Sequence, residues 1–193
     1  MVIKFLSLRR IIVVALIVAI LLTSGYFILH SQWFGRLIFP FHYKEIIFSE
    51  AQKRGLDPYL VSAVIYVESK FEPRAESRSG ALGIMQIMPT TGKWAAEKLG
   101  LEDFQEEDLY DPEINIAIGC WYLANLREEF GNNLVIMLAA YNGGRGNVNQ
   151  WLQEERWTGE HSTVEQIPFP ETRNYILRVM AAYKEYKRLY REN

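Results

Sequence analysis

The first hydrophobic feature of the chain is unbroken. Ile11 to Leu29 is nineteen residues without a charge, preceded by Lys4, Arg9 and Arg10. A helix of that length spans about 28 Å, close to the hydrocarbon thickness of a bilayer. The basic flank puts a short N-terminus (residues 1–10) in the cytoplasm and the bulk of the chain across the membrane. Tyr26, Phe27, Trp33 and Phe34 follow, where aromatic rings favour an interface. The run exceeds a usual signal-peptide core and no Ala-x-Ala site follows it, so an uncleaved signal-anchor over 11–29 is favoured over a cleaved signal. Residues 30–43, aromatic with a Gly and a Pro, read as a linker.

Beyond Tyr43 the hydrophobic pattern changes to helical period. Apolar Ile46, Ile47 and Ala51 precede Gly55, a helix stop. Asp57-Pro58 is an N-cap with proline at the first helical position, and Leu60, Val61, Val64 and Val67 form one apolar face. Residues 69–83 are a polar loop, and 84–99 hold a helix starting near Pro89. Asp111-Pro112 opens a long helix to about Phe130. A short apolar helix follows over 134–141, another begins at 147–152, and a last one runs over 172–191. Two prolines within 167–170 exclude a helix there. The pattern predicts one mostly α domain over 44–193, with no strand.

Composition narrows the chemistry. At 49% hydrophobic and 23% charged, the 193 residues are globular rather than disordered. Net charge is −2, so no basic field attracts nucleic acid. Three of the 21 basic residues and none of the 23 acidic ones lie within 1–30, which leaves −5 on the rest. One cysteine, Cys120, allows no internal disulfide and is expected as a small buried side chain. His30, His42 and His161 lack the close pairing of helix-borne metal ligands, so no metal and no cofactor is expected. The charges at Lys93–Lys98 and Arg127–Glu129 read as solvated helix faces.

Glu68 stands out at the end of an apolar helical stretch. Desolvation there would raise its pKa and retain a proton near neutrality, as a general acid requires. A solvated place in the last helical turn is the plainer alternative. Around it the chain reads Glu68-Ser69, Phe71, Ser77, Gly80-Ala81-Leu82-Gly83-Ile84-Met85-Gln86-Ile87-Met88-Pro89, then Ala140-Tyr141-Asn142-x-Gly144, then Pro170-Glu171-Thr172-Arg173-Asn174-Tyr175. In this order the motifs strongly resemble the soluble-transglycosylase (SLT) type of lytic transglycosylase domain, in glycoside hydrolase family 23. That group is related to goose-type lysozymes. The resemblance covers about residues 44–190, with Ile84 standing where leucine is common in the family.

The resemblance implies a lysozyme-like helical domain carrying an N-terminal transmembrane helix. It implies a membrane-bound enzyme that cleaves the bond between N-acetylmuramic acid and N-acetylglucosamine in peptidoglycan without water, leaving a 1,6-anhydro end. Glu68 would be the acid and then the base. Ser77 would stand near the substrate's N-acetyl group or near Glu68. Gly83, Gln86 and Met88 would line the cleft, with Gln86 bonding sugar. Tyr141 and Asn142 would face the same ring, and Glu171 and Tyr175 would close the site. The partners implied are glycan strands and the membrane, with room for an envelope complex.

Structural alternatives accompany several of these residues. Met85 and Met88 have core spacing, the glycines suit turns, Tyr141 suits a half-buried core position, and Ser69 suits local hydrogen bonding. Glu171 suits a helix N-terminus or a structural carboxylate beside the site. Two other functions stay open: a lysozyme-type hydrolase, for which Glu72 or Glu76 would hold the water, and an inactive glycan-binding scaffold.

Overall fold

The computed structural model describes residues 8–29 and 31–191; Lys4, His30 and the rest of the N-terminal flank before Leu8 lie outside them. The described residues are helical, with no strand and two isolated β-bridges, Glu76–Leu82 and Leu82–Ile87. The chain divides into two compact units, Met1–Pro40 and Phe41–Asn193.

In the first unit, α1 (Leu8–Leu29) exposes apolar side chains on every side, Ile11 and Leu22 among them. Its Arg9–Phe27 stretch is long and apolar enough to cross a membrane. Two of its hydroxyl side chains bond within the helix: the Thr23 hydroxyl donates to the Ala19 carbonyl at 2.9 Å and Ser24 to that of Ile20 at 2.7 Å. The segment read as a linker holds a helix, α2 (Gln32–Ile38). The Ser31 hydroxyl caps it by accepting from the Phe34 amide at 3.2 Å. Aromatic composition concealed this one-turn cap signal.

In the second unit, α3 (Lys44–Lys53) and α9 (Pro170–Tyr190) pack on α4 (Pro58–Ser69). Leu60 through Ile65 are all buried, so α4 is enclosed rather than one-faced. Each large apolar side chain buried there contributes about 1.5–3 kcal/mol. Asp57 starts α4 by accepting from the Tyr59 amide at 2.8 Å, and its second oxygen accepts from the Tyr183 hydroxyl of α9 at 2.6 Å. Tyr183 is half-buried, and the buried face of α9 runs through Thr172, Tyr175, Ile176, Val179, Ala182 and Tyr186.

The remaining helices are α5 (Pro89–Leu99), α6 (Pro112–Phe130), α7 (Leu134–Gly143) and α8 (Arg145–Gln153). Short 3₁₀ turns at Glu106–Tyr110 and His161–Gln166 lie where the sequence pattern predicts no element. Pro170, expected outside the last helix, is its first residue, where the missing N–H costs nothing. Arg127 and Glu129 differ from the solvated face expected of them. Arg127 donates to the carbonyls of Gly55 at 2.6 Å and Arg54 at 2.9 Å, and Glu129 pairs with Arg145 at 2.8 Å. Cys120 is fully buried.

Candidate active site

A cavity of about 510 Å³ opens where the end of α4, the 70–88 loop, the end of α7 and the start of α9 converge. Glu68 lines it from the last turn of α4. The helix stops just beyond, at Lys70 and Phe71, both with positive φ (53° and 68°), which turns the chain away and leaves the carboxyl facing the cavity.

Burial dominates the electrostatics of Glu68. It pushes the carboxyl up to about 7 against the offsetting pull of the Tyr175 hydroxyl and the Arg178 charge, with the Glu171 charge adding to the rise. The Tyr175 hydroxyl is buried beside this carboxyl and makes no hydrogen bond of ordinary geometry. Burial and the Glu68 charge keep the hydroxyls of Tyr141 and Tyr175 protonated. Their rings lie parallel, with centroids 6.5 Å apart.

The loop brings Ser77, Gln86 and Met88 to the same cavity. Ser77 sits in a tight turn, its Oγ accepting from the Ala81 amide at 2.9 Å. Gln86 has φ 52° and both its amide protons are engaged, with the carbonyls of Gly83 at 2.9 Å and Ala75 at 3.1 Å. Its Oε1 is therefore the atom free to meet a ligand. Met88, at 41% exposure, belongs to the cavity wall, whereas Met85 is fully buried; the two methionines, alike in sequence, part here.

Tyr141, Asn142 and Glu171 complete the expected set at the wall. The Tyr141 hydroxyl donates to the Met85 carbonyl at 2.8 Å. Asn142 Oδ1 accepts from the Thr172 hydroxyl at 2.8 Å, which aligns the ends of α7 and α9.

Two expected residues stand behind the wall. Gly83 does not line the cavity: its φ is +74°, and a β-carbon there would overlap the Leu109 carbonyl and the Asn115 amide. Its glycine character serves close packing. Tyr175 is buried behind Glu68. Glu72 and Glu76, the water-holding candidates of the hydrolase reading, do not line the cavity. The sequence reading passed over Ser79, Ala81, Gly143, Phe169, Pro170 and Thr172, which do. Ala81, Pro170 and Thr172 stand inside the motifs quoted above without a role of their own, and Phe169, an aromatic between two prolines, is 42% exposed.

A family model described as "Transglycosylase SLT domain" matches residues 45–164, more than half of the chain. A soluble lytic murein transglycosylase of Salmonella typhimurium is 36% identical over 152 residues, which is 78% of this chain and 23% of the relative. A membrane-bound lytic murein transglycosylase F of Desulfosudis oleivorans is 34% identical over 160 residues, covering 76% of this chain and 32% of the relative. The solved 70 kDa soluble lytic transglycosylase of Escherichia coli superposes with a TM-score of 0.75 at 33% identity, covering 80% of this chain and 25% of that one. The chain thus spans about a quarter of the length of these soluble proteins.

Proposed function

The chain belongs to the transglycosylase SLT domain family, and from that membership we propose that it is a membrane-anchored peptidoglycan lytic transglycosylase. The observation that carries the reading is the carboxyl of Glu68, pushed up to about 7 at the wall of a glycan-sized cavity. A glycosidic oxygen leaves poorly until protonated, and a carboxyl that keeps its proton near neutrality supplies it. Once ionised, the same carboxylate takes the proton of the muramyl 6-hydroxyl. The C1–O bond has by then broken, the leaving sugar carrying the proton from Glu68, and the 6-oxygen bonds to the cationic anomeric carbon, closing the 1,6-anhydro ring. Holding the hydroxyl against C1 exploits effective molarity and dispenses with a second catalytic carboxylate. The substrate's own N-acetyl oxygen stabilises the cationic centre, and Gln86 Oε1 and the Asn142 amide orient the ring.

Lysozyme-type hydrolysis would need a carboxylate to hold water, and Glu171 is the one that shares the cavity with Glu68. In our reading Glu171 instead raises the Glu68 pKa through its charge. The domain organisation follows: a cytoplasmic N-terminus over 1–10, a single-pass anchor over 11–29, a connecting segment over 30–43 and an extracytoplasmic catalytic domain over 44–193. Resistance to alkaline carbonate extraction tests the anchor.

The deciding experiment digests purified peptidoglycan with the full-length chain in detergent, beside Glu68→Gln, and reads the products by mass spectrometry. Anhydro ends from the wild type and none from the variant are expected. Reducing ends would make the enzyme a hydrolase, and binding without product would make it a scaffold.

A further inference from the structure

We propose that Asn115 is a positioning residue of this reaction: it clamps the Ile84–Met85 peptide and thereby sets Gln86 and Tyr141 in the cavity that holds Glu68. The proposal rests on the reading of Glu68 given above. Asn115 is in the first turn of α6 and is fully buried. All three of its side-chain hydrogen bonds leave its own helix. Its Oδ1 accepts from the Met85 amide at 2.8 Å, and its Nδ2 donates to the carbonyls of Leu82 at 3.0 Å and Leu109 at 2.7 Å.

The Met85 N–H is one end of a peptide unit whose other end is the Ile84 carbonyl. That carbonyl accepts from the Ser69 hydroxyl at 2.7 Å, and Ser69 adjoins Glu68 on α4. The next carbonyl, that of Met85, accepts from Tyr141 on α7. Two adjacent peptide units are therefore held by side chains from three helices, one of which bears Glu68 and another Tyr141. Gln86 follows at once in the left-handed region, braced by the Gly83 carbonyl.

The loop approaches α6 closely because two glycines permit it. A β-carbon at Gly83 would overlap the Asn115 amide, and one at Gly119 would overlap the Met85 side chain. Asn115 and Gly119 are four residues apart and so share one face of α6. The site demands one acceptor and two donors in a plane on a short stem, which asparagine supplies and aspartate does not. A buried network satisfied in full is rigid, and one left short lets its members shift.

Turnover of a soluble tetrasaccharide of alternating N-acetylglucosamine and N-acetylmuramic acid by the full-length chain in detergent tests the idea. The variants are Asn115→Asp, Tyr141→Phe, their combination, and Ile118→Val as a buried control on the same helix, each assayed below its unfolding transition. A shift of the loop by about 1 Å predicts a kcat loss of about 10²-fold in Asn115→Asp. KM stays within about threefold, and adding Tyr141→Phe causes no further loss. The control keeps its kcat. Should the Asn115 variant fail to fold, Ser69→Ala frees the other end of the same peptide and is expected to show the same kcat-specific loss, again without addition to Tyr141→Phe. Losses that follow only the folded fraction, or that add to Tyr141→Phe, overturn the proposal. A wild type that releases no product defeats the reading of Glu68 and this proposal with it; an active wild type with additive losses defeats this proposal alone.

Discussion

Replacing Glu68 by glutamine should stabilise the protein, and only above a definite pH. Burial pushes the native carboxyl from its ordinary 4.5 up to about 7. Between those limits the native state holds a proton that the unfolded chain has released, so stability falls as pH rises. The stability that goes with the neutral carboxyl is complete below 4.5 and is lost as pH passes through 7. At 1.36 kcal/mol per pH unit the loss reaches about 3 kcal/mol by pH 8. Glutamine is neutral throughout and escapes it. Calorimetry of the full-length chain and of Glu68→Gln in detergent, at pH 4 and pH 8, isolates this effect, because groups other than Glu68 titrate in both proteins. The variant should gain about 3 kcal/mol relative to wild type between the two pH values, or roughly 6–12 °C in Tm for a domain of this size. The same proton governs catalysis, so wild-type kcat/KM should decline above pH 7. A stability difference that is equal at pH 4 and pH 8, or one that favours the wild type at pH 8, would refute the desolvated acid on which the proposed mechanism depends.

Three further outcomes are expected. Gly83→Ala combines a left-handed φ with overlap against the Leu109 carbonyl, and should cost at least about 3 kcal/mol in urea denaturation without any lining contact having been touched. Asp57→Ala removes both the cap of α4 and the acceptor of Tyr183, for a loss of about 2–3 kcal/mol, while Asp57→Asn keeps the cap and loses less; chemical denaturation separates them. Burial pushes the Cys120 thiol up to about 12, so a thiol reagent at pH 8 should label it only as the protein unfolds, and fast labelling of the native protein would contradict the packing of α6.

Much of this architecture is written in local chemistry. Asp57-Pro58 and Asp111-Pro112 start helices because the aspartate side chain accepts the orphan amides of the first turn, whatever the rest of the fold does. Nineteen uncharged residues from Ile11 form a helix able to span a bilayer for an equally local reason. The motif residues around Glu68, Gln86 and Tyr141 could be placed by their order along the chain. Burial could not, because it depends on what packs from afar. Met85 and Met88 share spacing and chemistry, yet Gly119 of α6 admits one side chain to the core and the other stays on the cavity wall. Gly83 and Tyr175 look like lining residues in sequence and are supports in space.

The sequence by itself determined the helical class, the apolar N-terminal helix and the identity of the candidate acid. The first two follow from periodicity, capping and residue type, which act within a few positions; the third comes from the order of the motifs around Glu68 and the family they resemble. Only the tertiary structure decided that Glu68 keeps its proton to about 7, since that needs burial by the folded chain to outweigh the opposing pull of Tyr175 and Arg178. It alone joined Ser69, Asn115 and Tyr141 on two neighbouring peptide units. Hydrogen bonds between residues 15, 30 and 56 positions apart leave no mark on local pattern, because each partner is an ordinary residue until the fold brings its counterpart within reach.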